Sequence, residues 1–119
     1  MVSYVCHTVP YLTAEPEVSI HYLDPATDRF MILATDGLWE RLNNDQACAV
    51  VEAYLRHPDT IPASSPSEAL VEEALGKAAS ANFMSKALLK RLTQGSQRRM
   101  YHDDILVTVI QFDFGTNHW

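Results

Sequence analysis

The pattern of apolar and polar residues predicts two β-strands in the first third of this chain. Residues 17–23 alternate weakly and residues 30–35 form a nearly continuous apolar run, so each stretch predicts a β-strand. The segment Asp24–Asp28 between them consists of residues typical of a turn, and we therefore expect the two strands to form an antiparallel hairpin.

A third strand is predicted near the C-terminus, over residues 105–112. This segment is apolar on both faces except for Thr108 and Gln111, which indicates a central position in a sheet. Because three strands cannot easily bury both faces of such a sheet, the pattern suggests that part of the domain lies outside this chain.

Helical periodicity begins after Asn43, which resembles an N-cap with Gln46 three residues later in a capping box. Apolar residues then recur at helical spacing until Pro58, which is expected to end the helix. These residues are Ala47, Val50, Val51, Tyr54 and Leu55.

Two further helices follow a connector that contains proline and serine. Ser65–Glu68 combines an N-cap serine, a proline at the first helical position and an acidic third residue, and predicts a helix to about Ala79. Asn82 is expected to cap a third helix that runs through Leu92 and stops at Gly95. The sequence therefore predicts an α+β domain.

Composition and charge narrow the range of partners. The 119 residues correspond to one small domain, and the net charge of −6 with a pI near 5.2 argues against non-specific nucleic-acid binding. No apolar run approaches the length of a membrane-spanning helix. An acidic protein of this kind is compatible with a site that holds cations.

Cysteine and leader signals are sparse. Cys6 and Cys48 give neither a disulfide framework nor zinc-ligand spacing, and Cys48 is expected to be a buried small side chain because it lies in the helical apolar pattern. No Lys or Arg precedes Arg29, so neither a signal peptide nor a mitochondrial leader is visible. We expect either a cytosolic protein or a chain that lacks its true N-terminus.

Acidic residues stand at two predicted strand boundaries. Asp36 and Gly37 end the apolar run, where we expect a tight turn, and Asp103 and Asp104 precede the last strand. Carboxylates at strand ends can converge on a hard cation such as magnesium or manganese. The plainer alternatives are a simple turn at Asp36 and a solvated acidic pair or strand cap at Asp103 and Asp104.

These segments resemble the metal-dependent protein phosphatases of the PPM, or type 2C, family. Phe30–Glu40 (FMILATDGLWE) is similar to the family's strand and Asp-Gly-Leu-Trp motif, and His102–Ile105 with Val107–Phe112 is similar to its closing acidic motif and last strand. Pro10–Val18 resembles a segment of the pyruvate dehydrogenase phosphatase branch and its fungal and plant relatives, and Arg98–Tyr101 fits that branch too. Residues 57–81, a variable connector and helix, lie outside the resemblance.

The resemblance implies an α-β-β-α sandwich of antiparallel sheets flanked by helices, of which residues 1–119 would be the C-terminal portion. It implies metal-ligand roles for Asp36 and Asp103 in a site for two Mg²⁺ or Mn²⁺ ions, with Asp104 as a supporting residue. The reaction would be hydrolysis of phosphomonoesters on a phosphoprotein substrate, possible targets including pyruvate dehydrogenase. The location would be mitochondrial by this branch, and otherwise cytoplasmic.

The family's upstream half carries a phosphate-binding arginine and an Asp-Gly-His-Gly motif, and neither occurs in this chain. We therefore assign no catalytic residue and expect the isolated chain to be inactive without the missing N-terminal half of the domain. The alternative is a truncated, catalytically inactive fragment that serves as an interaction module or has no function.

Four other residues invite a functional interpretation, and each has a plainer one. His102 stands beside Asp103 but is expected to be structural or exposed, since the family's acid belongs to the missing half. Arg98 and Arg99 are expected to be solvated or to pair with acids. Trp39 is expected to pack in the core.

Overall fold

The sheet of this protein joins segments from opposite ends of the chain. In the computed structural model, which describes residues 14–92, 95, 101 and 103–115, strand β1 (Phe30–Ala34) pairs antiparallel with strand β2 (Val107–Gln111). Among the described residues, four helices lie between the two strands in the sequence. They are α1 (Asp36–Trp39), α2 (Asn44–Arg56), α3 (Pro66–Ala81) and α4 (Lys86–Arg91). The described part of the chain is therefore a small α+β unit.

Helices α2 and α3 begin where the sequence predicts. Asn43 accepts a hydrogen bond from the Gln46 backbone N–H at 2.8 Å, and the Gln46 side chain accepts from the Asn43 N–H at 3.0 Å. Ser65 accepts from the Glu68 N–H at 3.1 Å, with Pro66 at the first helical position. Each side chain satisfies a backbone donor that the first helical turn leaves free, so local sequence is enough to place both starts.

One face of the sheet packs on the helices. Leu38, Leu42, Val51 and Leu70 are fully or almost fully buried, and helix α3 contacts β2, α2 and α4. The inward-facing strand residues that pack against this core are Phe30, Ile32, Ala34, Val107 and Val109. The hydrophobic core therefore lies on a single side of the two strands.

The opposite side of the sheet, which we call the outer face, is formed by Met31, Leu33, Thr108 and Ile110. Met31 pairs with Ile110 and Leu33 with Thr108, and all four residues are exposed. Among the described residues β2 pairs only with β1, so the predicted central position of this strand is not found there. The apolar character of the outer face explains why its sequence looked like that of a buried strand.

The predicted strand over 17–23 and its hairpin with β1 are both wrong. Val18, Ile20 and Tyr22 lie outside regular secondary structure and are largely exposed. The turn at Asp24–Asp28 is present, with the Asp28 N–H donating to the Asp24 carbonyl at 2.8 Å. The turn leads into β1, but β1 pairs with β2 and not with residues 17–23. This pairing lets both strands bury their inner faces against the same core.

Helix α3 ends at a left-handed residue that is not glycine. The Met84 N–H donates to the Ala79 carbonyl and the Phe83 N–H to the Ser80 carbonyl, the two bonds of a Schellman motif. Phe83 has a φ of 54° and its side chain is 98% exposed. Asn82 is thus the C-cap of α3, and not the N-cap of the next helix as the sequence suggested.

Two other local predictions also need correction. Helix α4 is capped by Ser85, whose hydroxyl accepts from the Leu88 N–H at 3.1 Å, and it ends at Arg91, before Gly95. Cys48 is exposed, because the buried side of α2 is centred on Ala47 and Val51 and no described element covers the neighbouring position. None of the helices in the described residues is both long enough and apolar enough to cross a membrane.

Candidate metal centre

Asp36 lies at the point where strand β1 becomes helix α1. Thr35 is still extended, with φ −76° and ψ 166°, and Asp36 is the first helical residue. The predicted Asp-Gly turn is therefore a single turn of helix. Glu40 follows four residues later and donates its backbone N–H to the Asp36 carbonyl at 2.8 Å, so the two acidic side chains share one side of this turn.

Asp103 reaches the same place from the other end of the chain. One carboxylate oxygen each from Asp36, Glu40 and Asp103 lie within 4.8 Å of one another, and all three residues are exposed. The Asp103 carboxylate also accepts a hydrogen bond from the Asp104 N–H at 2.8 Å. Three like charges this close repel one another in the absence of a counter-charge.

The spacing of these oxygens suits a small divalent cation. With metal–oxygen bonds of about 2.1 Å, opposite ligands of Mg²⁺ stand about 4.2 Å apart and adjacent ones about 3 Å. The three oxygens lie within 4.8 Å of one another, so their separations need to shorten by at most roughly 0.6 Å for an opposite pair and roughly 1.8 Å for an adjacent pair. Rotation of exposed carboxylate side chains can supply such shifts. An all-carboxylate donor set favours hard cations such as Mg²⁺ and Mn²⁺.

A close backbone approach brings the Asp103 segment to α1. A Cβ atom placed on Gly37 would stand 2.3 Å from the Asp104 carbonyl oxygen and 2.9 Å from its carbon. Only glycine leaves room for this contact. Gly37 is therefore required beside Asp36 because of this close packing. The sequence pattern by itself instead explains the glycine by a tight turn.

Two side chains tether the same segment. The Thr35 hydroxyl donates to the Asp104 carbonyl at 3.1 Å, and the Arg41 guanidinium donates to the Tyr101 carbonyl at 2.8 Å. These bonds join the ends of helix α1 to the residues on either side of Asp103. Packing and hydrogen bonds therefore hold the Asp103 segment against helix α1.

The structure brings the two predicted ligands, Asp36 and Asp103, together, and their role as metal ligands stays a prediction. Glu40 was missed, although its spacing of four residues from Asp36 would place it correctly once Asp36 begins a helix. Trp39 packs against the core as expected and donates its indole N–H to the Ala34 carbonyl at 3.2 Å. The predictions for His102, Arg98 and Arg99 concern residues outside those that the structure describes.

A separate cavity of about 330 Å³ lies between α2, the connector and the start of α3. Its lining is mainly apolar and includes Val50, Ala53, Ile61 and Pro62, with Glu72 and Lys86 at its polar side. None of the three clustered acidic residues lines it. The cavity therefore offers no group to the candidate metal centre.

Comparison with known proteins places this chain beside one family. Residues 2–83 match the family model described as Protein phosphatase 2C. Protein phosphatase 2C 32 of Arabidopsis thaliana is 37% identical over 106 residues, which are 89% of this chain and 12% of that protein. Probable protein phosphatase 2C 64 of Arabidopsis thaliana is 39% identical over 104 residues, 87% of this chain and 24% of that protein. Protein phosphatase 2C 35 of Oryza sativa subsp. japonica is 38% identical over 104 residues, 87% of this chain and 16% of that protein.

The relatives and the family model differ in how much of the candidate site they cover. A contiguous match of 104 residues within a chain of 119 necessarily spans both Asp36 and Asp103, whereas the family-model match ends before Asp103. The chain spans only about an eighth to a quarter of the length of these curated relatives. No solved structure matches this chain.

Proposed function

Because this chain belongs to the protein phosphatase 2C family, we propose that it forms the C-terminal part of a metal-dependent protein serine/threonine phosphatase domain. The observation that carries the proposal is the convergence of Asp36, Glu40 and Asp103 from two distant segments onto one edge of the sheet. The reaction is hydrolysis of a phosphomonoester on a phosphoprotein. Such a reaction needs positive charge close to the phosphoryl oxygens, and an acidic cluster is the means of holding it.

Asp36 and Asp103 would hold one Mg²⁺ or Mn²⁺ ion, and Glu40 offers a third oxygen to it. When bound, the cation lowers the pKa of a coordinated water and neutralises charge on the phosphoryl group. The three carboxylates bind and orient the ion, and its charge relieves their mutual repulsion. A second ion of the family's site, and the arginine and bridging aspartate that the resemblance implies, would depend on residues outside this chain.

The outer face of the sheet supports the same proposal. Met31, Leu33 and Ile110 are exposed apolar residues on this face. In the sandwich implied by the family, the second sheet covers this surface, which gives it the burial that its composition favours. We place the missing N-terminal half of the domain on this face, and we expect the chain without that half to be inactive.

The branch, substrate and location are narrower proposals. Pro10–Val18 and Arg98–Tyr101 resemble the pyruvate dehydrogenase phosphatase branch, which would make pyruvate dehydrogenase or a similar phosphoprotein the target and the mitochondrion the location. A cytoplasmic phosphatase with another target is the alternative. Dephosphorylation of phosphorylated pyruvate dehydrogenase by the full domain, with a phosphoserine peptide of unrelated sequence as control, distinguishes the two.

A second candidate function is a catalytically inactive fragment that acts as an interaction module. We keep it as the alternative because no Asp-Gly-His-Gly motif occurs among these 119 residues. The intact mass of the native protein, together with the coding sequence upstream of Met1, separates the alternatives. An in-frame Asp-Gly-His-Gly motif favours the enzyme, and a native mass of 13.4 kDa favours the fragment.

The metal site is tested by titrating the chain with Mn²⁺ and following the free ion by electron paramagnetic resonance. Asp36→Asn and Asp103→Asn should each weaken binding by about tenfold or more, since each removes a charged ligand oxygen. Asp45→Asn is the matched control, because Asp45 is an exposed carboxylate in the first turn of α2 and outside the cluster. Equal losses in all three variants, or no saturable binding by the unaltered chain, would contradict the site.

A further inference from the structure

Thr35 occupies the point where strand β1 leaves its partner and turns into helix α1. Its carbonyl accepts the Leu38 N–H at 3.1 Å and so belongs to the first turn of the helix. In a regular antiparallel ladder that carbonyl would instead accept from the facing strand. The N–H of Leu106, which faces Thr35 one step beyond the Ala34–Val107 pair, therefore needs another acceptor.

The Thr35 hydroxyl is that acceptor. The Leu106 N–H donates to the hydroxyl oxygen at 3.0 Å, while the Thr35 backbone N–H donates to the Leu106 carbonyl at 3.0 Å. The hydroxyl also donates its own proton to the Asp104 carbonyl at 3.1 Å. One side chain thus replaces the missing carbonyl of the ladder and adds a bond to the residue after Asp103.

The carbonyl that receives the Thr35 proton is the one against which Gly37 packs. Residues 35 and 37 therefore fix the same peptide group from two sides, and Asp36 lies between them. Because Asp103 is the residue before Asp104, its position relative to Asp36 depends on the contacts that hold the Asp104 carbonyl. We propose that Thr35 is a positioning residue, whose hydroxyl sets the separation of the Asp36 and Asp103 carboxylates.

This inference rests on the proposed metal site, and the two are tested by different measurements. The variant Thr35→Val keeps the shape and β-branching of threonine but removes the hydroxyl that accepts from the Leu106 N–H and donates to the Asp104 carbonyl. Thr35→Ser keeps the hydroxyl. Thr108→Val is the matched control, since the Thr108 side chain lies on the outer face of β2 and makes no hydrogen bond with the residues that the structure describes.

The first measurement needs no metal and follows amide hydrogen exchange at Leu106 by nuclear magnetic resonance. Exchange in Thr35→Val should be about tenfold faster than in the unaltered chain, as the loss of one hydrogen bond predicts. Thr35→Ser and Thr108→Val should leave it unchanged. Unchanged exchange in Thr35→Val would overturn the inference whether or not the chain binds a cation.

The second measurement is Mn²⁺ affinity, taken at a temperature where circular dichroism shows all variants folded. Thr35→Val should bind Mn²⁺ about tenfold more weakly, as is usual when a residue that orients a metal ligand is removed. Thr35→Ser should restore the affinity, and Thr108→Val should not alter it. Equal affinities for Thr35→Val and the unaltered chain, or a loss in Thr35→Ser as large as in Thr35→Val, would overturn the positioning role. No Mn²⁺ binding by the unaltered chain would instead contradict the proposed function.

Discussion

Replacing Gly37 by alanine adds a single methyl group at the most crowded backbone contact of the candidate site. The new Cβ atom would stand 2.3 Å from the Asp104 carbonyl oxygen, where ordinary contacts begin at 3.4 Å. The two nearest atoms belong to the backbone and cannot rotate away as a flexible side chain can. The Asp104 peptide must therefore move by about 1 Å to restore an ordinary contact.

The energetic consequence can be worked out from this displacement. Overpacking of this kind costs about 1–3 kcal/mol, and the displaced carbonyl also loses the Thr35 hydrogen bond, worth about 1 kcal/mol. Alanine in place of glycine returns up to about 1 kcal/mol in a helix, although α1 has only one turn. We expect Gly37→Ala to lower the free energy of unfolding by about 1–3 kcal/mol.

The matched control is Gly76→Ala in helix α3. A Cβ atom at Gly76 meets no atom within 4 Å, so only the helix propensity changes. This variant should gain about 0.5–1 kcal/mol. The assay is urea unfolding of the three proteins at one dilute concentration, followed by tryptophan fluorescence. Our reasoning is refuted if Gly37→Ala is as stable as the unaltered chain, or if the two variants shift the midpoint in the same direction.

Three further outcomes are expected. The isolated chain should show no more than trace turnover of p-nitrophenyl phosphate with Mn²⁺, and a rate in the usual enzyme range of about 1–1000 per second would show that these residues suffice for catalysis. Hydrogen bonds from Lys86, and next from Lys90, lower the pKa of Glu72 in the folded chain. The stabilisation from these bonds is therefore complete above the pKa that Glu72 has in the unfolded chain, and it is lost as the pH falls through the lower pKa that Glu72 has in the folded chain. Glu72→Gln should therefore destabilise the chain at neutral pH by less than about 1 kcal/mol, as exposed pairs do, and a difference from the unaltered chain that persists below both pKa values would show another cause. Phe83→Gly should raise stability by about 1 kcal/mol, because it removes a side chain from a left-handed backbone position. Phe83→Ala keeps the Cβ atom and should gain little. Equal thermal midpoints for the two variants would exclude relief of backbone strain as the source of any gain.

Local structure was predictable from sequence wherever a few neighbouring residues decide it. The starts of α2 and α3 follow from Asn43 and Ser65, whose side chains bond to backbone groups only three residues away. Strand β1 follows from its apolar run. The end of α3 was misplaced because Phe83 adopts a conformation that sequence rules reserve mainly for glycine and asparagine.

The partners of the strands could not be predicted in this way. The sequence predicts a strand both at residues 17–23 and at residues 107–111, and either could have paired with β1. Only the packing of a common core decides which of them does so. The candidate site depends on that decision. Asp36 and Asp103 were identifiable from their places at strand ends, but their approach depends on the close contact at Gly37, and Glu40 joins them only because α1 is helical.

The hydrogen bonds between Thr35 and Leu106 join residues 71 positions apart, and this separation has a consequence for folding. Closing a loop of that length costs roughly 4 kcal/mol of chain entropy, which must be spent before the contacts it enables can form. Helices α2 and α3 shorten that loop when they pack against each other. We therefore expect the cluster of Asp36, Glu40 and Asp103 to assemble late in folding. During synthesis Asp36 leaves the ribosome several seconds before Asp103, at roughly 5–20 residues per second. A cation that binds only the assembled cluster would then act as a reversible cross-link between the two ends of the described fold, and its concentration in the cell would set the fraction of nascent domains that are closed.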